Sequence, residues 1–202
     1  MYLRHHANNK NTTMKYIITF VLYLGTFFCN AQTITLKQLS ECQADLYPCP
    51  NYTNAKDNTN LLGKFVGTWK GISEDGRTYE FRFTKKDDDG GWLNDIFWDI
   101  LVGRMTIKKS DGSILESTMS VSDANTHFKG HFFDKSLTKY QLYYSGNAEC
   151  NDKGYVYISF PDPNNLNQMR LVFIQDRDII ASCPSGYKTL MPDGKAIMLT
   201  KQ

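Results

Sequence analysis

From Phe65 to the end of the chain, apolar and polar residues alternate in short runs that turn sequences separate. Tyr79, Phe81 and Phe83, for example, alternate with charged or hydroxylated residues and follow an Asp-Gly turn at 75–76. Such alternation indicates strands with one buried face, and Asp-Gly favours tight hairpins. Nine or ten strand candidates with few helical stretches predict an all-β fold. We expect an antiparallel meander that closes into a β-barrel of 8–10 strands, because closure removes exposed edges.

Gly67 and Trp69 stand at the start of the first of these strands. Glycine permits a close approach of two chain segments, and the indole of tryptophan is large enough to fill the narrow end of a barrel. We therefore predict that Gly67 and Trp69 form the floor of the barrel.

The N-terminus has the features of an export signal. Lys15 precedes an uncharged, apolar run over residues 16–28, and Cys29-Asn30-Ala31 follows. This order is typical of a secretory signal peptide, and the run is shorter than the roughly 20 apolar residues that span a bilayer. We predict that residues 1–31 are a signal peptide and that the chain is exported to the periplasm or the extracellular space, with no transmembrane segment after cleavage. The alternative is a lipid anchor at Cys29.

The predicted leader also accounts for the positive charge of the chain. Residues 1–31 carry three of the 23 basic residues and none of the 21 acidic ones, so the remainder has a net charge of −1. A near-neutral chain with mixed signs lacks the basic surface of a nucleic-acid-binding protein. Whether translation starts at Met1 or Met14 stays open.

The rest of the chain divides into an arm and a domain. Residues 32–60 are polar and contain two prolines, which predicts an irregular N-terminal arm, although Thr33 to Leu39 fits either a strand or a short helix. Residues 61–202 have the length of one β-barrel domain, and we expect a monomer.

Four cysteines follow the leader: Cys42, Cys49, Cys150 and Cys183. An even number in an exported chain favours disulfides. We predict the pairs that are near in sequence, Cys42–Cys49 and Cys150–Cys183. A zinc site is the alternative, but the chain has no C-x-x-C pair.

The stretch Phe65 to Lys70 resembles the first strand of the lipocalin and fatty-acid-binding superfamily, in which a Gly-x-Trp closes the barrel floor. The chain departs from fatty-acid-binding proteins after this strand, because Glu74-Asp75-Gly76 turns directly into another strand where they have a helix pair. The leader, this strand and the segment Asp99 to Arg104 together resemble a family of short exported Bacteroidetes proteins of unknown function. The resemblance implies an exported, lipocalin-like barrel and implies no activity.

A barrel of this size either packs its interior with side chains or holds one small ligand. Inward tyrosine hydroxyls without partners would favour a cavity, because a dry core leaves them unsatisfied. The function predicted is a non-enzymatic binding module for a small apolar ligand. The candidate cavity-lining residues are Tyr79, Phe81, Phe83, Met105, Phe128, Phe132, Tyr140, Tyr144, Tyr157 and Phe173.

The alternative function is docking onto a cell-envelope protein. Residues 87–98 are longer than a tight hairpin needs and place Trp92, Phe97 and Trp98 in a predicted loop over one barrel mouth. Apolar rings in a loop either fold back onto the barrel or contact a partner. This loop or the N-terminal arm is the predicted docking segment.

Metal binding and catalysis have little support in the sequence. His127 and His131 would lie about 13 Å apart along a strand, too far to share one ion. The Asp87–Asp89 run does not fit a calcium loop, because Gly91 takes the third ligand position. No nucleophile elbow, zinc-protease motif or phosphate loop is present. We therefore predict no metal, no cofactor and no enzymatic activity.

Overall fold

The structure, a computed structural model, describes residues 32–44, 49–90, 96–178 and 183–202. The predicted signal peptide, including Cys29, and Trp92 lie outside these residues. Within them the chain forms one α-helix, α1 (Leu36–Ala44), and eleven strands. The strands are β1 (Thr33–Thr35), β2 (Asn54–Lys56), β3 (Gly67–Ile72), β4 (Thr78–Gly90), β5 (Phe97–Lys108), β6 (Ile114–Ser117), β7 (Phe128–Phe133), β8 (Lys139–Ser145), β9 (Lys153–Ser159), β10 (Gln168–Gln175) and β11 (Ala196–Lys201).

Eight of the strands close into an antiparallel barrel. The order around it is β3, β4, β5, β7, β8, β9, β10 and β11, and β11 returns to β3 with Thr200 opposite Lys70. Between β5 and β7 the ladder is short, with Gly103 opposite Phe128. Gly103 has no side chain to separate the strands there, since an added Cβ would lie 2.9 Å from the Cβ of Phe128. The predicted all-β antiparallel barrel of eight to ten strands is confirmed.

Strand β5 has 12 residues, and three strands share the edge that faces away from β4. β2 pairs with its first residues in parallel, β7 pairs with its middle, and β6 pairs with its end. The barrel therefore uses only the middle of this edge, and the two ends carry additional strands.

The N-terminal arm is folded, which corrects the prediction of an irregular segment over 32–60. β1 and β2 pair in parallel, and α1 lies between them in sequence. Thr35 begins the helix, because its Oγ1 accepts the Gln38 N–H at 3.0 Å while the Gln38 side chain accepts the Thr35 N–H at 2.9 Å. This reciprocal pair is a capping box. Ile34 and Leu39 are buried in the same core as the barrel side chains, so the arm packs against the barrel.

A buried carboxylate fixes the junction between the arm and the barrel. Asp99 in β5 accepts hydrogen bonds from the Lys56 ammonium at 3.2 Å and the Asp57 N–H at 3.0 Å. Asp57 in turn accepts the N–H groups of Leu61 and Leu62. These contacts give the buried carboxylates of the junction hydrogen-bond partners.

Six of the seven described residues in the predicted loop over 87–98 belong to strands. Asp87 to Gly90 belong to β4, and Phe97 and Trp98 belong to β5, where they pair with β2 and β4. The ladder shifts register between Lys86 and Asp89, and this irregularity breaks the alternation that would have marked the strand in the sequence. Phe97 and Trp98 are half-buried ladder residues and are not loop residues.

Both predicted disulfides are present. Cys42 of α1 is bonded to Cys49, with 5.0 Å between their Cα atoms. Cys150 is bonded to Cys183, with 4.9 Å between their Cα atoms. Within the described residues no helix has the length and apolar character that crossing a bilayer requires.

Candidate functional site

The barrel interior is filled with aromatic side chains. Trp69 is fully buried, and its Nε1–H donates to the Phe65 carbonyl at 2.9 Å. Higher in the barrel, the rings of Phe128 and Tyr144 have centroids 4.7 Å apart. These are distances of packed rings, so side chains occupy the space that a ligand would need.

The inward tyrosine hydroxyls all have partners in the protein. Tyr79 donates to the Leu190 carbonyl at 2.8 Å, and the Tyr140 oxygen accepts the Leu101 N–H at 3.4 Å. Tyr144 donates to Asp152 at 3.5 Å. The polar signal that would have favoured an interior cavity is therefore absent for these three tyrosines.

Two of the predicted interior residues face the other way. Phe132 is half-exposed, because the β7–β8 ladder shifts register between Gly130 and Phe133 and turns Phe133 inward instead. Tyr157 is half-exposed on β9, where its neighbours in the strand point inward. The other predicted residues are buried in the core: Tyr79, Phe81, Phe83, Met105, Phe128, Tyr140, Tyr144 and Phe173.

A segment without regular secondary structure covers one end of the barrel. We call residues 183–195 the strap. It begins at Cys183, which is bonded to Cys150, and it leads into β11. Since β11 then runs to Lys201 beside Trp69, the strap and Trp69 lie at opposite ends of the barrel. Met191 is the one strap side chain that is fully buried, and it belongs to the barrel core.

The β3–β4 hairpin holds the middle of the strap. Arg77 in this hairpin donates from Nη1 to the Leu190 carbonyl at 2.7 Å and to the Thr189 carbonyl at 3.3 Å. Its Nε–H donates to Asp75 at 2.8 Å, and this hydrogen bond, with the Ser73 hydroxyl, holds the pKa of Asp75 well below its usual range. Because Asp75 fixes the guanidinium, Arg77 presents a rigid pair of donors to the strap backbone.

Asp152 holds the strap from the other side. Its carboxylate, completely buried, accepts the Leu190 N–H at 3.2 Å and the Tyr187 hydroxyl at 3.0 Å. Burial raises the pKa of Asp152, and the hydrogen bond from Leu190 opposes that rise. Burial and the neighbouring carboxylate raise the pKa of Tyr187 to about 12, so its hydroxyl stays a donor at neutral pH. The composition of Asn151-Asp152-Lys153-Gly154 favours a turn, and the sequence gives no sign of this role for Asp152.

The raised pKa of Asp152 predicts how stability depends on pH. The folded protein binds this proton more tightly than the unfolded chain does. The resulting stability is present below the ordinary carboxyl pKa of about 4 and is lost as the pH rises through the raised folded pKa. An asparagine does not titrate. We therefore expect Asp152→Asn to gain stability relative to the wild type as the pH rises from about 4 toward neutrality, by about 1.4 kcal/mol per unit of pKa shift.

Urea unfolding of both proteins over this pH range measures the difference. Asp162→Asn, in an exposed turn after β9, is the matched control, because it removes a carboxylate that the fold does not bury. A constant difference between Asp152→Asn and the wild type would contradict the assigned cause, which is burial of the carboxyl group.

Outside the strap lies a half-open cavity of about 570 Å³. Its apolar wall includes Pro184, Tyr187 and Pro192 of the strap together with the Cys150–Cys183 disulfide. None of the ten residues predicted to line a cavity contributes to it. The sequence does not predict this site, because most of the residues that line it lie in turns. No periodic pattern there indicates which side chains share a face.

The rim of the cavity carries three acidic and three basic side chains: Glu74, Asp75, Asp193, Arg77, Lys188 and Lys195. Most of these charges are neutralised within the protein. Lys195 pairs with Glu74 at 2.7 Å, and Arg177 pairs with Asp193 at 3.6 Å. Among the described residues Lys188 makes no ion pair, so the cavity has one ammonium group available to an anion.

His127 and His131 do not form a metal site with other described residues. His127 is half-buried beside Tyr144, and His131 is exposed beside Phe132. No group of three or more histidine, cysteine, aspartate or glutamate side chains in the described ranges is arranged to hold a metal ion.

No curated protein and no solved structure matches the chain significantly. The sequence model of one family matches residues 11–189, which is most of the chain. The chain therefore belongs to the family of unknown function DUF6705.

Proposed function

We propose that the protein is an exported, non-enzymatic binding module that holds a small amphipathic molecule in the cavity beside the strap. Export rests on the sequence of residues 1–31, and two disulfides fit an oxidising compartment. The observation that carries the proposal is the cavity of about 570 Å³, which lies within the range of small-molecule sites.

The mouth of the barrel is a better site than its interior. A ligand inside would have to displace aromatic rings that contact one another, such as Phe128 and Tyr144. Closely packed interiors do not yield such space without losing stability. The cavity beside the strap is open to solvent and needs no such displacement.

The lining of the cavity indicates the class of ligand. The tyrosine ring and the two prolines of its apolar wall contact hydrocarbon groups favourably. The ammonium of Lys188 at the rim attracts an anion, whereas the carboxylates there already have partners. A ligand with an apolar body and one anionic group fits both the apolar wall and the rim.

The alternative, docking onto a cell-envelope protein, has less support. The N-terminal arm uses Ile34 and Leu39 to pack against the barrel, so these side chains are not available to a partner. Phe97 and Trp98 lie in a strand that is paired on both edges. A partner captured by the wild type and lost on deletion of residues 91–95 would favour docking over small-molecule binding.

Filling the cavity tests the proposal. Ala196 lines it at the start of β11, and a tryptophan there should weaken binding of the anionic fluorescent probe anilinonaphthalene sulfonate at least tenfold, because the indole takes the space of the probe. Thr200→Trp places the same residue at an exposed position of the same strand away from the cavity. This control should bind as the wild type does. Equal probe affinity for both variants and the wild type, measured by fluorescence titration, would count against the cavity as the site.

A further inference from the structure

The strap separates the cavity from the barrel core. Thr189 and Pro192 line the cavity on one side. Met191 between them is fully buried and packs in the aromatic core on the other side. An apolar group in the cavity is therefore separated from the core only by the strap segment 189–192.

The strap is held by side-chain hydrogen bonds and has no strand ladder of its own in this segment. The Leu190 carbonyl binds Arg77 and Tyr79, and its N–H binds Asp152. Such isolated contacts open at lower free energy than a ladder does. Towards β11, the Gly194 N–H donates to the Phe173 carbonyl at 2.8 Å.

The Met191 side chain is similar in shape to a short alkyl chain. This side chain is unbranched, flexible and apolar, and it makes no hydrogen bond to any residue that the structure describes. A short alkyl chain matches it in width and in chemistry. When such a chain displaces Met191, the core residues lose apolar contacts with the methionine and gain apolar contacts with the chain. The core therefore keeps its packing.

We infer that the strap moves when the ligand binds. The tail of the bound ligand then occupies the position that the Met191 side chain has in the free protein. The inference rests on the proposed function and deepens it. The ligand class is a single-chain amphipath whose anionic group stays at the rim near Lys188 and whose short unbranched tail enters the barrel end between the strap and Tyr79. Tyr79, which the sequence predicts as a cavity-lining residue, then contacts the tail.

The length of the tail gives the first test. Alkyl sulfonates from butyl to decyl, each below its critical micelle concentration, are titrated into the disulfide-intact protein by calorimetry. Affinity should rise about fourfold for each added methylene, the factor that corresponds to about 0.8 kcal/mol, and should level off once the tail fills the place of Met191. Affinity that does not change with tail length would overturn the inference.

Hydrogen exchange gives the second test, because the two binding modes predict opposite signs. If the tail displaces Met191, the amides of Leu190 and Gly194 exchange faster in the sulfonate complex than in the free protein. A ligand that only rests in the cavity slows their exchange, and slower exchange would overturn the inference while leaving the proposed function intact. Failure of every sulfonate to bind, with equal probe affinity of the Ala196→Trp and Thr200→Trp variants, would overturn both.

The variants Tyr187→Phe and Tyr157→Phe test whether the hydrogen bond between Tyr187 and Asp152 stabilises the strap. Tyr187→Phe keeps the ring and removes one hydrogen bond to Asp152. Exchange of the Leu190 amide in the free protein should become about fivefold faster, the factor that corresponds to about 1 kcal/mol. Tyr157→Phe is the matched control, since the Tyr157 hydroxyl makes no hydrogen bond to any described residue. Unchanged exchange in Tyr187→Phe would show that this contact does not hold the strap.

Discussion

Replacing Trp69 by alanine is expected to lower the free energy of unfolding by roughly 3–5 kcal/mol. The indole is fully buried at the barrel end and lies 6.0 Å from the ring of Phe160, measured between centroids. The truncation leaves a cavity in the floor and removes the donor to the Phe65 carbonyl. That carbonyl is buried, so it loses its hydrogen bond without gaining one from water. The loss is measured by urea unfolding followed by far-ultraviolet circular dichroism.

Two variants separate the contributions to this loss. Trp69→Phe removes the hydrogen bond but keeps most of the ring, and we expect a smaller loss than for alanine. Trp98→Ala truncates an indole on β5 that is only half-buried, and we expect the smaller loss of the two alanine variants. Equal losses for Trp69→Ala and Trp98→Ala would contradict the assignment of Trp69 as the floor of the barrel.

The sequence predicts the barrel wherever each strand has one face in the core and one in water. β9 and the first seven residues of β4 are such segments, and their inward residues alternate with outward ones. The prediction fails where the ladder shifts register, because one extra residue reverses the face of every residue after it. That is why Phe133 and not Phe132 packs inside.

The sequence carries one signal for the folded arm. Thr35 and Gln38 have the spacing of a capping box, and the following residues form a helix of nine residues. The parallel pairing of β1 with β2 had no such signal, since each strand has only three residues and the pairing depends on contacts distant in sequence. The polar composition of the arm favours an irregular segment, because its apolar residues are few, although Ile34, Leu36 and Leu39 are buried in the barrel core.

The candidate site was not predictable from local pattern. Arg77 and Tyr79 contact the Leu190 carbonyl across more than 110 positions of sequence. Asp152 lies in a turn whose composition favours solvent, and only the tertiary fold buries it. The cysteine pairs are predictable, because pairing by locality needs only the order of the cysteines and the prediction that the chain is exported.

The two disulfides differ in the length of chain that they close, and this difference predicts the second large effect. Loop-closure entropy gives about 3.5–4 kcal/mol for the 33-residue separation of Cys150–Cys183 and about 2–2.5 kcal/mol for the seven-residue separation of Cys42–Cys49. We therefore expect the Cys150→Ala/Cys183→Ala variant to lose more stability than Cys42→Ala/Cys49→Ala, by roughly 1.5 kcal/mol, in urea unfolding.

The same two variants distinguish the local stability of the strap from the stability of the rest of the fold. Cys183 is the first residue of the strap, so loss of its bond frees that end, whereas Cys42 belongs to α1 and is remote from the strap in sequence. In native-state hydrogen exchange the Leu190 amide should become less protected in Cys150→Ala/Cys183→Ala, while the amides of β4 keep their protection relative to global unfolding. The Cys42→Ala/Cys49→Ala variant should leave this ratio unchanged. Equal stability losses with equal exchange in both variants would mean that the strap is held by its hydrogen bonds alone, because Arg77 and Asp152 then suffice without the covalent bond.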